Sequence, residues 1–399
     1  MPTLRGWDCI DNWNKTLLKI EQNDNTLTGV SIGIGFFVHC SPFNSRDDFA
    51  RLSNSIGVNT HLTKLAVCIT RDLKLDVSHR EFFESLIRNK SIKTVELRCY
   101  GSRIDKGVLG KILTSYKTNS NNLVGLSIDT CRLQNGGDQF LAATLRNFTN
   151  LTKLKLVSKS IWVPGISDEQ LLVLVDAIRG NHLLETLCLD RNRIGDAGCE
   201  TLSTLLTNPQ SNLQKLELNN NNISNDGLNI IIEALAGNNR LKTLYLQNNR
   251  IDFYAAHYAF SRLICNTSSI NHIYSSNHTL ERIAISSRIT SDYIATDKMD
   301  MNEETNKSHV AIRKIDRHRP YIDMKPFFCW DAESELTLKG LPYVLTWFEK
   351  AHTVIMVKKK REFEKALCKR NNEIRKLSAI YDFAKAMPLQ FVSIKVGER

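Results

Sequence analysis

One phrase recurs along this chain and governs what it can fold into. Leu184-Glu-Thr-Leu187-Cys-Leu189-Asp-Arg-Asn192-Arg-Ile194 returns as Leu213-Gln-Lys-Leu216-Glu-Leu218-Asn-Asn-Asn221-Asn-Ile223. It returns again as Leu241-Lys-Thr-Leu244-Tyr-Leu246-Gln-Asn-Asn249-Arg-Ile251. Weaker copies begin at Leu27, Leu62, Ile92, Leu123 and Leu151 upstream, and at Ile270 downstream. From Leu62 onward the starts are 30, 31, 28, 33, 29, 28 and 29 residues apart, after a first step of 35. That makes nine repeats, the first and last degenerate. A fixed period of this length is the mark of a solenoid, whose units bury their apolar sides only against each other.

Each copy reads as one strand and one helix. Leu187 and Leu189 alternate with Thr186, Cys188 and Asp190, which is the period of a short strand. Asn192, Asn221 and Asn249 stand where the chain leaves that strand, and their amides suit the backbone groups a turn leaves unpaired. Ile194 and Gly198 then lead into apolar positions at helical spacing (Leu202, Leu205, Leu206). The second copy matches with Gly227, Leu228, Ile231, Ala234 and Leu235. A strand occupies about 4.8 Å across a sheet and a helix about 10 Å, so a stack of such units bends. Strands take the concave side and helices the convex side.

These phrases and their period resemble the ribonuclease-inhibitor-like class of leucine-rich-repeat proteins, over roughly residues 24–280. The resemblance implies an α/β horseshoe with a parallel concave sheet. It implies no single function, because the class holds inhibitors, innate-immune receptors, GTPase activators and cytoskeletal proteins. Asn306–Ile315 and Lys376–Tyr381 are similar to the ends of microalgal members of the class, a likeness that carries no activity.

The ends need caps. Residues 1–23 include Trp7, Ile10, Trp13, Leu17, Leu18 and Ile20, which suit an amphipathic capping helix. Residues 281–310 lose the repeat and turn polar, and are expected as a loop. Aromatic and apolar residues return over 311–351 (Phe327, Phe328, Trp330, Trp347, Phe348), as in a helical capping module. Residues 352–399 hold 12 of the Lys and Arg and 5 of the Asp and Glu, so they carry +7 of the chain's net +11. Within them, 355–386 lack Pro and Gly and read as a basic amphipathic helix.

The first residues lack a basic segment followed by an apolar run, so no secretory signal is expected. The longest near-apolar stretch, 29–38, is about half of what a bilayer requires. Ten Cys are scattered without a C-x-x-C pair, which suits reduced thiols in the cytoplasm or nucleus.

No phosphate-binding loop, H-E-x-x-H or G-x-S-x-G is found. The expectation is a protein that is not an enzyme, needs no cofactor or metal, and takes no small-molecule substrate. The inward side chains of the strands are the better candidates. They run Lys64, Ala66, Cys68, then Thr94, Glu96, Arg98, then Gly125, Ser127, Asp129. Lys153, Lys155 and Val157 follow, then Thr186, Cys188 and Asp190, then Lys215, Glu217 and Asn219, then Thr243, Tyr245 and Gln247, and last His272 and Tyr274. Mixed signs suit a protein partner better than a uniform phosphate track. Lys153, Lys155, Asp190, Glu217, Gln247 and the aromatic pair Tyr245 and Tyr274 are the expected contacts, with Tyr274 on a ninth strand beside Tyr245. Trp162, on the insertion Ile161–Gly165, is a further contact. Arg103, Arg132, Arg193 and Arg250 share one phase of the repeat, where Arg is common, and read as a solvated face ahead of the alternative, an arginine ridge along one rim.

The leading reading is an interaction scaffold. A Ran-type GTPase-activating protein is the second, against which the basic tail counts, since those members carry an acidic one. The third is an RNA- or membrane-associated adaptor working through Lys358, Lys359, Lys360 and Arg361, which would meet nucleic acid or an acidic membrane surface.

Overall fold

The computed structural model describes residues 10–34, 46–69, 88–99, 123–129, 136–158, 165–268, 272–273, 275–285, 300–303, 310–311 and 314. The basic tail, Trp162 and Tyr274 lie outside the described residues. Two compact units divide the chain: Met1–Ile264 with Thr279–Met299, and Cys265–His278 with Asp300–Arg399.

The first unit holds nine parallel strands in strict chain order: β1 (Gly29–Ile34), β2 (Lys64–Ile69), β3 (Thr94–Cys99), β4 (Gly125–Asp129), β5 (Lys153–Val157), β6 (Thr186–Cys188), β7 (Lys215–Glu217), β8 (Thr243–Tyr245) and β9 (Arg282–Ala284). No strand is skipped, so each strand pairs only with the strands of the repeats next to it in the chain. The helices described are α1 (Ile10–Glu21), α2 (Arg46–Val58), α3 (Gly137–Leu145), α4 (Asp168–Ile178), α5 (Asp196–Leu206), α6 (Asn225–Ala236) and α7 (Phe253–Ile264).

The phrase leucines form the core. Leu187, Leu189, Leu216, Leu218, Leu244 and Leu246 are all at most 1% exposed, and they pack against Leu202, Leu205, Leu228, Ile231 and Leu235 from the helices. In α1, Leu17 and Ile20 are buried and join the same core, while Leu18 is half exposed, as on an amphipathic helix.

The asparagines bind one repeat to the next. Asn221 Nδ2 donates to Leu189 O (2.9 Å) and Leu218 O (3.0 Å), and its Oδ1 accepts the Ile194 N–H (3.1 Å). Asn192 and Asn249 repeat the pattern one step either side. A second ladder runs at the far end of the helices. Asn59, Asn89, Asn181 and Asn238 each donate to a carbonyl of the preceding repeat and accept backbone N–H groups just ahead of their own strand. Its sequence signal is an Asn three residues before the first apolar residue of the phrase, as in Asn238 before Leu241.

Helix starts are linked in the same way. Asp196, the first residue of α5, accepts from the Ser224 N–H (2.9 Å) and the Gly227 N–H (3.1 Å) at the start of α6. A Cβ on Gly227 would stand 2.3 Å from the Asp196 carboxylate, so only glycine admits this link.

The last strand differs from expectation. The phrase beginning at Ile270 predicts β9, yet His272 and Ile273 are helical and β9 is Arg282–Ala284. The reason lies in the core positions. Leu280, Ile283 and Ile285 fill all three apolar places of the phrase and are buried, whereas the copy at Ile270 has Ser275 in the third. Part of the segment expected as a polar loop is therefore strand, and Asp300–Glu303 is a short 3₁₀ helix.

In the second unit, the buried Lys314 ammonium donates to Asn277 O (3.2 Å) and meets His278 Nδ1 (3.1 Å). Asn302 Nδ2 donates to the same carbonyl (3.3 Å).

Candidate binding face of the sheet

Strand pairing places the inward side chains in three rows that cross the sheet. The upstream row is Lys64, Thr94, Gly125, Lys153, Thr186, Lys215, Thr243 and Arg282. The middle row is Ala66, Glu96, Ser127, Lys155, Cys188, Glu217, Tyr245 and Ala284. A downstream row follows two residues later, with Arg98, Asp129 and Val157 on β3 to β5 and then Asp190, Asn219 and Gln247 just past the ends of β6 to β8.

Between β5 and β8 these rows form a polar cluster. The Lys215 ammonium contacts Glu217 Oε1 at 2.5 Å and sits over the Tyr245 ring, 5.1 Å from its centroid. Ligand atoms of Cys188, Asp190 and Glu217 lie within 4.8 Å of one another. Burial pushes the Glu217 carboxyl up, but the Cys188 thiol and Lys215 together hold it below its ordinary value, with Lys155 adding to the pull. Asp190 goes the other way. Burial raises it, and the nearby Glu217 charge raises it further, against the Asn219 N–H that it accepts. Burial pushes the Cys188 thiol strongly up, and its bond to Glu217 adds to this, so the sulfur keeps its proton. A thiol and two carboxylates can converge on a divalent cation, but here Lys215 already neutralises Glu217.

Asp190 also has a structural duty. Its Oδ1 accepts the Asn219 N–H at 2.8 Å, and Asn219 Oδ1 in turn accepts the Gln247 N–H at 2.8 Å. The downstream row is thus tied from repeat to repeat.

Of the contacts expected from sequence, the structure brings Asp190, Glu217 and Tyr245 together, with Lys155 one register step away and Lys153 exposed on the upstream row. The expected pairing of Tyr245 with Tyr274 on adjacent strands is corrected, because the β9 neighbour of Tyr245 is Ala284. Lys215 and Cys188 complete the cluster. Strand alternation places both inward, but only the pairing of β6, β7 and β8 shows that they share a site. Arg193 and Arg250 are exposed, and Arg103 and Arg132 lie outside the described residues.

A parallel sheet of this order, with a helix between β1 and β2 and between each successive pair from β4 to β9 among the described residues, defines a leucine-rich-repeat solenoid. No family model matches the chain. Over 140 residues, 35% of its length, it is 34% identical to the Bos taurus NACHT, LRR and PYD domains-containing protein 3, and it spans 13% of that protein. It is 35% identical over 83 residues to Protein CARMIL of Dictyostelium discoideum, spanning 8% of that relative and 20% of itself. An internalin of Listeria monocytogenes is similar at 14% identity with a TM-score of 0.30, covering 70% of this chain and 88% of that one. Among the described residues, no helix is long and apolar enough to cross a membrane.

Proposed function

We propose that the chain is a scaffold that holds a protein partner on the concave face of its sheet, centred on β5 to β8. The observation that carries this is the contiguous set Lys155, Asp190, Lys215, Glu217 and Tyr245 on a wall of hydrogen-bonded strands. Such a wall is already ordered, so a partner loses little additional entropy in meeting it. Tyr245 is half-buried and supplies the kind of ring that anchors interfaces. The charges of both signs give orientation and exclude wrong partners more than they add affinity. The partial likeness to a larger protein whose name includes LRR domains agrees with a binding module. Nothing in this reading calls for bond-making chemistry, and the thiol at the centre of the cluster stays protonated.

The test compares proteins captured by the full chain with those captured by a Lys155→Glu/Tyr245→Ala variant whose circular dichroism is unchanged. Leu172→Glu, at an exposed position on α4, serves as the control. Loss of the same captured proteins from the concave variant alone is the expected result. Retention by that variant would remove the concave face from the proposal.

A further inference from the structure

The three rows differ in charge, and that difference describes the occupant. On the upstream row every charged residue is a cation: Lys64, Lys153, Lys215 and Arg282. Lys153 and Arg282 are exposed, and Lys215 keeps 38% of its side chain open while it contacts Glu217. On the downstream row, from β6 to β8, the only charge is that of Asp190, followed by Asn219 and Gln247. From β6 to β8 the face therefore grades from positive to negative along the strand direction, with Tyr245 and Glu217 between, while Lys155 adds a cation to the middle row on β5 and Arg98 one to the downstream row on β3.

Spacing narrows the choice further. Lys153, Lys215 and Arg282 stand on β5, β7 and β9, so neighbouring cations are two strands apart, about 9.6 Å. An extended peptide crossing the strands would cover that distance in about three residues, and residues three apart point to opposite faces. It cannot offer consecutive carboxylates to one row. A helix covers about 10.5 Å in seven residues, which is two turns, and returns to the same flank. The rows are also separated suitably: Lys215 to Asn219 is four residues, about 13 Å, against a helix diameter of about 10–12 Å.

We propose that the occupant of the concave face is an α-helix of the partner, laid across β5 to β9, with carboxylates every seventh residue over Lys153, Lys215 and Arg282 and a basic side chain on its other flank at Asp190. This deepens the scaffold reading and rests on it.

The probe is a synthetic helix of about 22 residues, rich in Ala and Gln, with Glu at every seventh position and Arg on the opposite flank. A second peptide of the same composition carries its Glu residues five apart. Fluorescence anisotropy at low salt measures both against the full chain, because surface charge contacts fade with ionic strength. The seven-spaced peptide is expected to bind about tenfold tighter, a difference of about 1.4 kcal/mol. Lys153→Glu/Arg282→Glu is expected to abolish that preference, and a peptide with Lys in place of Glu to restore binding to the variant.

Equal binding of the two spacings, no binding of either, or indifference to the charge reversal would overturn the helix. If captured proteins still depend on Lys155 and Tyr245 in that event, the scaffold reading stands without it. If they do not, both fall.

Discussion

At the scale of single residues, the asparagines and the inward acids do different work, and their variants separate accordingly. Asn221 satisfies two carbonyls and one N–H from two repeats, in a place that is 6% exposed. Asn221→Ala leaves those groups without partners, and each buried unpaired group costs about 1–3 kcal/mol. A loss of about 2–4 kcal/mol is expected in urea unfolding after partial relaxation. Asp190 is the contrasting case. Its folded pKa is raised, chiefly by burial, so the ionised form is disfavoured by folding, and stability falls as pH rises through the unfolded value toward the folded one. Asp190→Asn keeps an oxygen for the Asn219 N–H and removes the charge. Such a variant should be as stable as the parent or more so at neutral pH, while binding its partner less well. Thermal unfolding and affinity moving in opposite directions would show a residue kept for recognition; destabilisation together with unchanged binding would show a purely structural one.

At the scale of elements, each helix start is stabilised by its predecessor. Burial raises the Asp196 carboxyl, but bonds from Ser224 and Gly227 outweigh it and lower the group from 3.8. A depressed folded value contributes stability above the unfolded pKa and loses it as pH falls through the folded one. Between about pH 5 and pH 2 the parent should therefore lose more stability than Asp196→Asn does. Parallel losses in the two proteins would mean that the carboxylate charge adds nothing at this junction. These junctions also show what was legible beforehand. The strands were plain from Leu-x-x-Leu-x-Leu because alternation fixes which side chains face inward. Period alone places the ninth after Ile270, but filling of the three core positions is the stronger constraint. Leu280, Ile283 and Ile285 meet it and the segment after Ile270 does not.

At the scale of the whole molecule, a one-dimensional stack turns sequence period into surface rows. Lys153, Lys215 and Arg282 lie 62 and 67 residues apart in the chain, yet fall on one row because each repeat advances by one strand. Membership of the inward face could be read from alternation in one repeat. The cluster of Cys188, Asp190, Lys215, Glu217 and Tyr245 could not, because it depends on side-chain reach between strands. The outer surface offers a natural comparison, since Tyr254 and Tyr258 on α7 are 79% and 64% exposed. Covalent labelling of exposed side chains, read by mass spectrometry on the purified complex and on the free chain, puts the two faces in direct competition. Protection should fall on Lys153, Lys155 and Tyr245 and leave Tyr254 and Tyr258 as reactive as before; protection of α7 with an unchanged concave row would contradict the account.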